Sequence, residues 1–326
     1  MTRFVRTYSV ELALVSALAL AVLFFGYLAV GLFPRDAGEE DFAGSRALAA
    51  AGRQMAFGAR TTATQSNLDM GAWLIEQLTS AGWDVVIQQF SAGEVVKGRN
   101  LIAIRSPAQP LGATAPAAFP VGILATHYDT RLAADSDPLP ENQTSPAPGA
   151  NNGASGVAVL LELARTLDVD ESGHTLCLAF FDADANDGLP GWQGRLGSSH
   201  FARTVAQDVP RCAAPAFVVA LDQVGGDNAR FRQDANGDPA LNAAIWAQAE
   251  ALGFNDTFLP ETAPATRNAH TPLQQNGVPG SLITDVGYTA GATLADTVDR
   301  LSEATLLRVG RTLEAWLERG AQFGER

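Results

Sequence analysis

A chain of 326 residues with 47% hydrophobic and 17% charged residues has globular composition, raised in its apolar share by one segment, and it can form one large domain or two small ones. The formal net charge of −13 argues against nucleic acid or an anionic membrane surface as partner and fits a solvated acidic face in an exported compartment. No internal repeat is visible.

The first element is Leu12 to Phe33, roughly 22 residues without a charge and long enough to cross a bilayer core as a helix. Arg3 and Arg6 precede it, and Pro34 and the acidic Asp36, Glu39, Glu40 and Asp41 follow. The basic flank is expected to stay cytoplasmic, which puts the rest of the chain on the outer side, periplasmic or extracellular. A cleaved signal peptide is the competing reading, but its apolar core is usually shorter and no small-x-small site follows. The expected organisation is therefore residues 1–33 as cytoplasmic tip and anchor, 34–43 as linker and 44–326 as the globular domain.

Apolar periodicity predicts helices over Ser45 to Phe57 and Leu68 to Ala81, with Gly82 as the stop of the second. Trp83 to Phe90 and Asn100 to Arg105 read as strands, followed by a Pro/Ala-rich connection from Pro107 to Pro120. Val121 to Thr126 is a strand that delivers His127-Tyr128-Asp129. A long polar loop, Arg131 to Pro148, is expected to be functional or disordered. Gly149, Gly153 and Gly156 then open a helix running to Leu167. A His and an Asp at a strand end before a Gly-rich loop and a helix stand where open α/β sheets place their chemistry.

His174 to Phe181 is an apolar, central-type strand. Leu196 to Val205 is a helix, Phe217 to Leu221 a buried strand ending at Asp222, Ala240 to Leu252 a helix, Gly280 to Thr284 a strand and Ser302 to Arg319 the closing helix. This alternation predicts an α/β fold with a mostly parallel central sheet and helices on both faces. Cys177 and Cys212 are the only cysteines; the apolar run around Cys177 predicts a buried free thiol, with a disulfide as the alternative.

Asp182-Ala183-Asp184-Ala185-Asn186-Asp187-Gly188 alternates oxygen donors as calcium loops do, and Asp234-Ala235-Asn236-Gly237-Asp238 is a second acidic turn. The first has its Gly one residue late and lacks the bidentate Glu. Turn-forming Asp, Asn and Gly give the same composition without an ion.

In this order and spacing, several stretches resemble the zinc-dependent aminopeptidase and glutaminyl cyclase superfamily, the bacterial glutaminyl-cyclase-like branch most of all. They are Phe57-Gly58-Ala59-Arg60, Asn100-Leu101-Ile102-Ala103, Thr126-His127-Tyr128-Asp129-Thr130, Pro148 through Gly156, Phe180-Phe181-Asp182, Leu196-Gly197-Ser198, Leu221-Asp222-Gln223-Val224-Gly225, His270-Thr271-Pro272-Leu273 and Thr293-Leu294-Ala295-Asp296-Thr297. The resemblance covers Arg46 to Leu317 and implies the zinc-exopeptidase fold.

It also implies where the chemistry should be. The positions matching the superfamily's zinc ligands hold Asn152, Ala185 and Ala292, and the ligands that two-metal relatives add match His127 and Asp222. An Asn amide is a poor substitute for an anionic ligand and a methyl is none. Asp184 matches the general base but is one methylene shorter than Glu. Ala269 and Gly291 stand where the cyclase branch has an Asp and a Trp.

The expectation is a membrane-anchored pseudoenzyme that serves as an accessory or structural subunit. Its remnant cleft would hold His127, Asp129, Asp222 and His270, with Asp184 as the remnant base and no cofactor. Its expected partners are the membrane, other membrane-protein subunits and a peptide, but no nucleic acid. The alternative is an active zinc aminopeptidase or glutaminyl cyclase with a rearranged site built from His127, Asp129, Asp184, Asp222 and His270. A structural account of these residues also stands: His127 and Asp129 tie the loops at the sheet end, His270 packs under the last strands and Asp222 caps a turn.

Overall fold

The structure, a computed structural model, describes residues 41–92, 96–109, 118–192 and 194–324. The apolar run Leu12 to Phe33 and part of the Pro107–Pro120 connection lie outside them. Among the described residues no helix is long and apolar enough to cross a membrane.

Residues Phe42–Arg326 form one compact unit around a six-stranded sheet. In chain order its elements are α1 (Gly44–Met55), α2 (Gln65–Ser80), β1 (Asp84–Ala92), β2 (Val96–Arg105), β3 (Val121–His127), α3 (Gly156–Thr166), β4 (Thr175–Phe181), α4 (Leu196–Asp208), β5 (Phe217–Asp222), β6 (Phe231–Asp234), α5 (Pro239–Ala251), β7 (Phe258–Ala263), β8 (Gly280–Thr284) and α6 (Glu303–Glu318). The strand order is β1-β2-β4-β3-β5-β8. β3, β4, β5 and β8 run parallel, whereas β1 pairs with β2 and β2 with β4 antiparallel. The sheet is thus mixed: β3, β4, β5 and β8 form the parallel part that was expected, and the β1–β2 edge is antiparallel. β1 and β2 are too close in sequence for a crossover, so that edge folds back on itself.

Alternation along the strands fills two cores. One face sends Leu101, Ala103, Leu124, Leu178, Phe180 and Val219 against α1, α2, α3 and α6. The other sends Ile102, Ile123, Ala125, Cys177, Ala179 and Val218 against α4. Caps fix the helix starts: Thr64 accepts from the Asn67 N–H, Asp238 from Ala240 and Leu241, and Ser302 from Thr305.

The expected free thiol is corrected, because Cys177 and Cys212 form a disulfide across 6.1 Å of Cα separation, joining β4 to the short turn Pro210–Cys212. Burial of Cys177 is compatible with both states, and only the chain path brings Cys212 beneath it. β6 and β7 pair in parallel as a small second sheet crossed by α5. Sequence periodicity did not reveal them, since FRQD and FLPETA carry few apolar residues.

The Arg131–Pro148 loop is ordered and buttresses its neighbour. Its Ala134 N–H donates to Ser145 O at 2.7 Å, Ser136 N–H to Ala292 O at 3.1 Å, and Asp137 Oδ2 accepts the Leu294 N–H at 2.9 Å. This loop therefore sets the position of the Gly291–Ala295 segment.

Candidate functional site

Because β3, β4, β5 and β8 are parallel, His127, Asp182 to Asp184, Asp222 and Asp285 all emerge at one end of the sheet. That end is where the loops of an open α/β sheet form a crevice. His127 closes β3 and Asp222 closes β5. Imidazole Nε2 lies 3.4 Å from Asp222 Oδ1, while Nδ1 lies 3.0 Å from the Asp129 carbonyl oxygen and 3.4 Å from Asp129 Oδ1. All three residues are buried. Burial alone would lower the His127 pKa, but Asp129 and Asp222 outweigh it and raise it to about 10. Burial would likewise raise Asp222, yet His127, Arg195 and Asn268 hold it down to about 2. The pair is a buried imidazolium–carboxylate.

Three further groups anchor this pair. Asn268 Nδ2 donates to Asp222 Oδ2 at 2.7 Å. Arg195 brings a guanidinium nitrogen to 3.7 Å from the same oxygen, and its other nitrogens donate to the carbonyls of Asp184 at 3.4 Å and Arg267 at 3.3 Å. Asp129 turns its carboxylate toward the next loop, accepting the N–H groups of Asp184 at 3.2 Å and Ala185 at 3.0 Å.

Asp184 is fully buried, and its Oδ1 accepts the N–H groups of Gly197 at 2.9 Å and Ser198 at 3.1 Å in the first turn of α4. Oδ2 has no hydrogen-bond partner among the described residues. Burial raises this carboxyl to about 6, against the pull of Arg195 and Ser198. Asp182 is also raised, by burial and by Asp129.

The Gly-rich loop reaches the same region from the other side. Gly153 has φ +117°, and a Cβ there would stand 2.9 Å from Asp129 O; a Cβ on Gly156 would collide with Thr126 Oγ1. Asn152 turns its amide outward along the loop, Nδ2 donating to Gly291 O at 3.0 Å. Asp296 accepts the backbone N–H groups of Asn151 at 2.8 Å and Asn152 at 3.0 Å, and Arg60 ties the loop through Pro148 O at 2.9 Å and Gly149 O at 2.6 Å.

The structure thus brings His127, Asp129, Asp222 and the backbone of Asp184 together. His270 is placed elsewhere, with Nε2 3.4 Å from Asp234 Oδ2 and both residues buried. The calcium reading of 182–188 does not survive. Asp182 and one oxygen of Asp184 accept backbone N–H groups, and the Arg131 guanidinium takes the carbonyls of Ala185 at 2.9 Å and Asp187 at 3.2 Å. In the second acidic turn, Asp238 caps α5 and Asp234 accepts the Thr266 N–H.

Residues 108–317 match Peptidase family M28. The chain belongs to that family. Among solved structures, a Zn-dependent exopeptidase from Parabacteroides distasonis is 25% identical with a TM-score of 0.76, covering 85% of this chain and 98% of that one. The Porphyromonas gingivalis glutaminyl cyclase is 28% identical with a TM-score of 0.74, again over 85% and 98%. A probable zinc metalloprotease of Leptosphaeria maculans is 29% identical over 69% of this chain and 53% of its own length. One of Pyrenophora tritici-repentis is 30% identical over 44% and 29%. The chain therefore spans about half or less of the length of these curated relatives.

These names overturn the expectation that no cofactor goes with this fold, for zinc is named in the relatives and is the metal against which the site must be tested. The side chains present do not complete a zinc centre. Zinc takes about four donors, at least three of them from protein in catalytic sites. Here His127 and Asp222 supply two, Asn152 directs its amide N–H to a carbonyl, and Ala185 and Ala292 supply none. Among the described residues no group of three or more His, Cys, Asp or Glu is arranged to hold a metal ion.

Sequence reading missed Arg195, Asn268 and Arg131. Each stands outside the motifs that carry the resemblance. The one available signal was Arg195 immediately before the Leu196-Gly197-Ser198 helix start, a place from which a long side chain reaches a strand end.

Proposed function

We propose that this M28-fold protein binds rather than hydrolyses, as a membrane-anchored pseudoenzyme that serves as an accessory subunit of a membrane-associated complex. The observation that carries this reading is Asp184. At the position of the superfamily's general base, the carboxylate caps α4 through Gly197 and Ser198. A base must reach the proton it takes, and this carboxyl is fully buried with Oδ1 held by two backbone donors and only Oδ2 unpartnered. Its burial and its reach, one methylene shorter than Glu, support loss of hydrolysis even where His127 and Asp222 take a metal ion.

The anchor is supported by the apolar run Leu12 to Phe33 and its basic flank. Placement of the domain outside the cytoplasm is supported by the Cys177–Cys212 disulfide, since such bonds persist in oxidising compartments.

The full-length chain, purified in detergent and supplied with zinc, is expected to turn over neither aminoacyl anilides nor glutaminyl peptides, while a native complex retains it by its anchor. Turnover of either substrate at one zinc per chain would overturn the reading and establish the rearranged-site enzyme instead. Protease added to sealed, right-side-out membranes should digest the domain; protection would refute the outer placement.

A further inference from the structure

A cavity of about 540 Å³ opens beyond the carboxyl end of β8, and its lining includes none of His127, Asp129, Asp184 or Asp222. In a chain of net charge −13 with 22 basic residues, three arginines line it: Arg230 just before β6, Arg232 within β6, and Arg300 from the short turn Val298–Arg300. Three carboxylates line it as well. Asp285 accepts the Gly287 N–H at 2.9 Å and Asp227 accepts Asn228 Nδ2 at 2.9 Å, while Asp299 lies beside Arg300. Arg232 has only a loose partner, Glu261 at 3.9 Å. Among the described residues no hydrogen bond or ion pair engages the guanidinium of Arg230 or Arg300. Asp299 attracts Arg300 and Asp285 attracts Arg232 electrostatically, but neither forms a hydrogen bond with the guanidinium forks of Arg230 and Arg300, which leaves those N–H donors to a ligand.

We propose that this cleft binds a small ligand through a carboxylate, held by the guanidinium forks of Arg230 and Arg300. A guanidinium presents two parallel N–H donors that match a planar carboxylate or a phosphate edge. The three acids in the same lining repel a dianion more than a monoanion, which favours carboxylate over phosphate. Tyr288 forms one wall. Its hydroxyl is committed to Asp296 Oδ1 at 2.7 Å, so it offers its ring rather than a donor, and it leaves room for an apolar side chain beside the carboxylate. Through Asp296 the same wall is tied to the N–H groups of Asn151 and Asn152 in the Gly-rich loop. The proposal shares no residue with the strand-end cluster and does not depend on whether that cluster binds peptide.

The test is calorimetric titration of the full-length protein with Ala-Ala-Ala, with its C-terminal amide and with inorganic phosphate. The free acid should bind saturably, the amide at least tenfold more weakly, and phosphate more weakly than the acid. The double substitution Arg230→Gln/Arg300→Gln should weaken the acid at least tenfold while leaving the thermal midpoint unchanged, both side chains being exposed. Equal binding of acid and amide, unchanged binding by the double variant, tighter binding of phosphate or no binding at all would each overturn the proposal.

Discussion

The strand ends and the loops of this site carry opposite chemistry. At the ends of β3 and β5, His127 and Asp222 are paired at 3.4 Å, with Asp129 beside them. The neighbouring loops present the neutral Asn152, Ala185 and Ala292, and these segments are held by contacts to Asp296, Gly291 and Ser136. The difference follows from burial. A charge at a closed strand end cannot be removed singly without stranding its partner, whereas a loop position can be neutralised when neighbouring backbone groups accept the hydrogen bonds.

That contrast can be broken most strongly at His127. His127→Ala leaves Asp129 and Asp222 without their cation and is expected to cost about 3–5 kcal/mol in urea unfolding. A double-mutant cycle with Asp222→Asn should recover part of that loss, and strict additivity would contradict the pairing. Removing the distant disulfide with Cys177→Ala/Cys212→Ala should cost about 2–4 kcal/mol. It should leave the His127 resonances unchanged, because Cys177 pairs with Ile123, well down the strands from the strand-end pair.

Asp184→Asn sharpens the comparison through pH. A carboxyl raised to about 6 when folded binds its proton more tightly than in the unfolded chain, so the wild type loses stability as pH rises from the ordinary carboxylate range through about 6. The substitution keeps an acceptor for Gly197 and Ser198 and removes the charge. It should flatten that pH dependence and stabilise the protein at pH 7 by up to about 3 kcal/mol. A steeper pH dependence would show that the ionised carboxylate is favoured after all.

The loop side should respond least. Asn152→Ala removes one partly buried hydrogen bond and is expected to cost about 1 kcal/mol. Replacing all three loop positions, as Asn152→Asp/Ala185→Asp/Ala292→His, should raise zinc affinity by orders of magnitude if only these donors are missing; unchanged affinity would point to Arg195 as the obstacle. In metal-free protein, nuclear magnetic resonance should find His127 titrating near pH 10. Its contribution to stability is complete below its unfolded value and is lost as pH rises through about 10. Titration near neutrality would remove the buried ion pair.

Much of this was legible in the chain itself. Alternating apolar residues and Gly-rich punctuation give β3, β5, β8, α3 and α6 within a few residues, because burial periodicity is a local property of the sequence. The His127-Tyr128-Asp129 strand end and the Gly-rich loop before α3 were likewise placed by motif order. Pairings between distant segments were not legible. Cys212 lies 35 residues from Cys177 and meets it only because α4 returns across the sheet. Arg195 reaches Asp222, and Arg131 fills the carbonyl cage at 185–187, through loop paths that no spacing encodes. His270 stands in a stretch of its own and faces Asp234 at the end of β6 rather than the strand-end pair. The sequence by itself determined which residues are apolar enough to be buried and which carry charge. Tertiary structure alone decided which charges meet, because that depends on where separate segments of backbone come to rest.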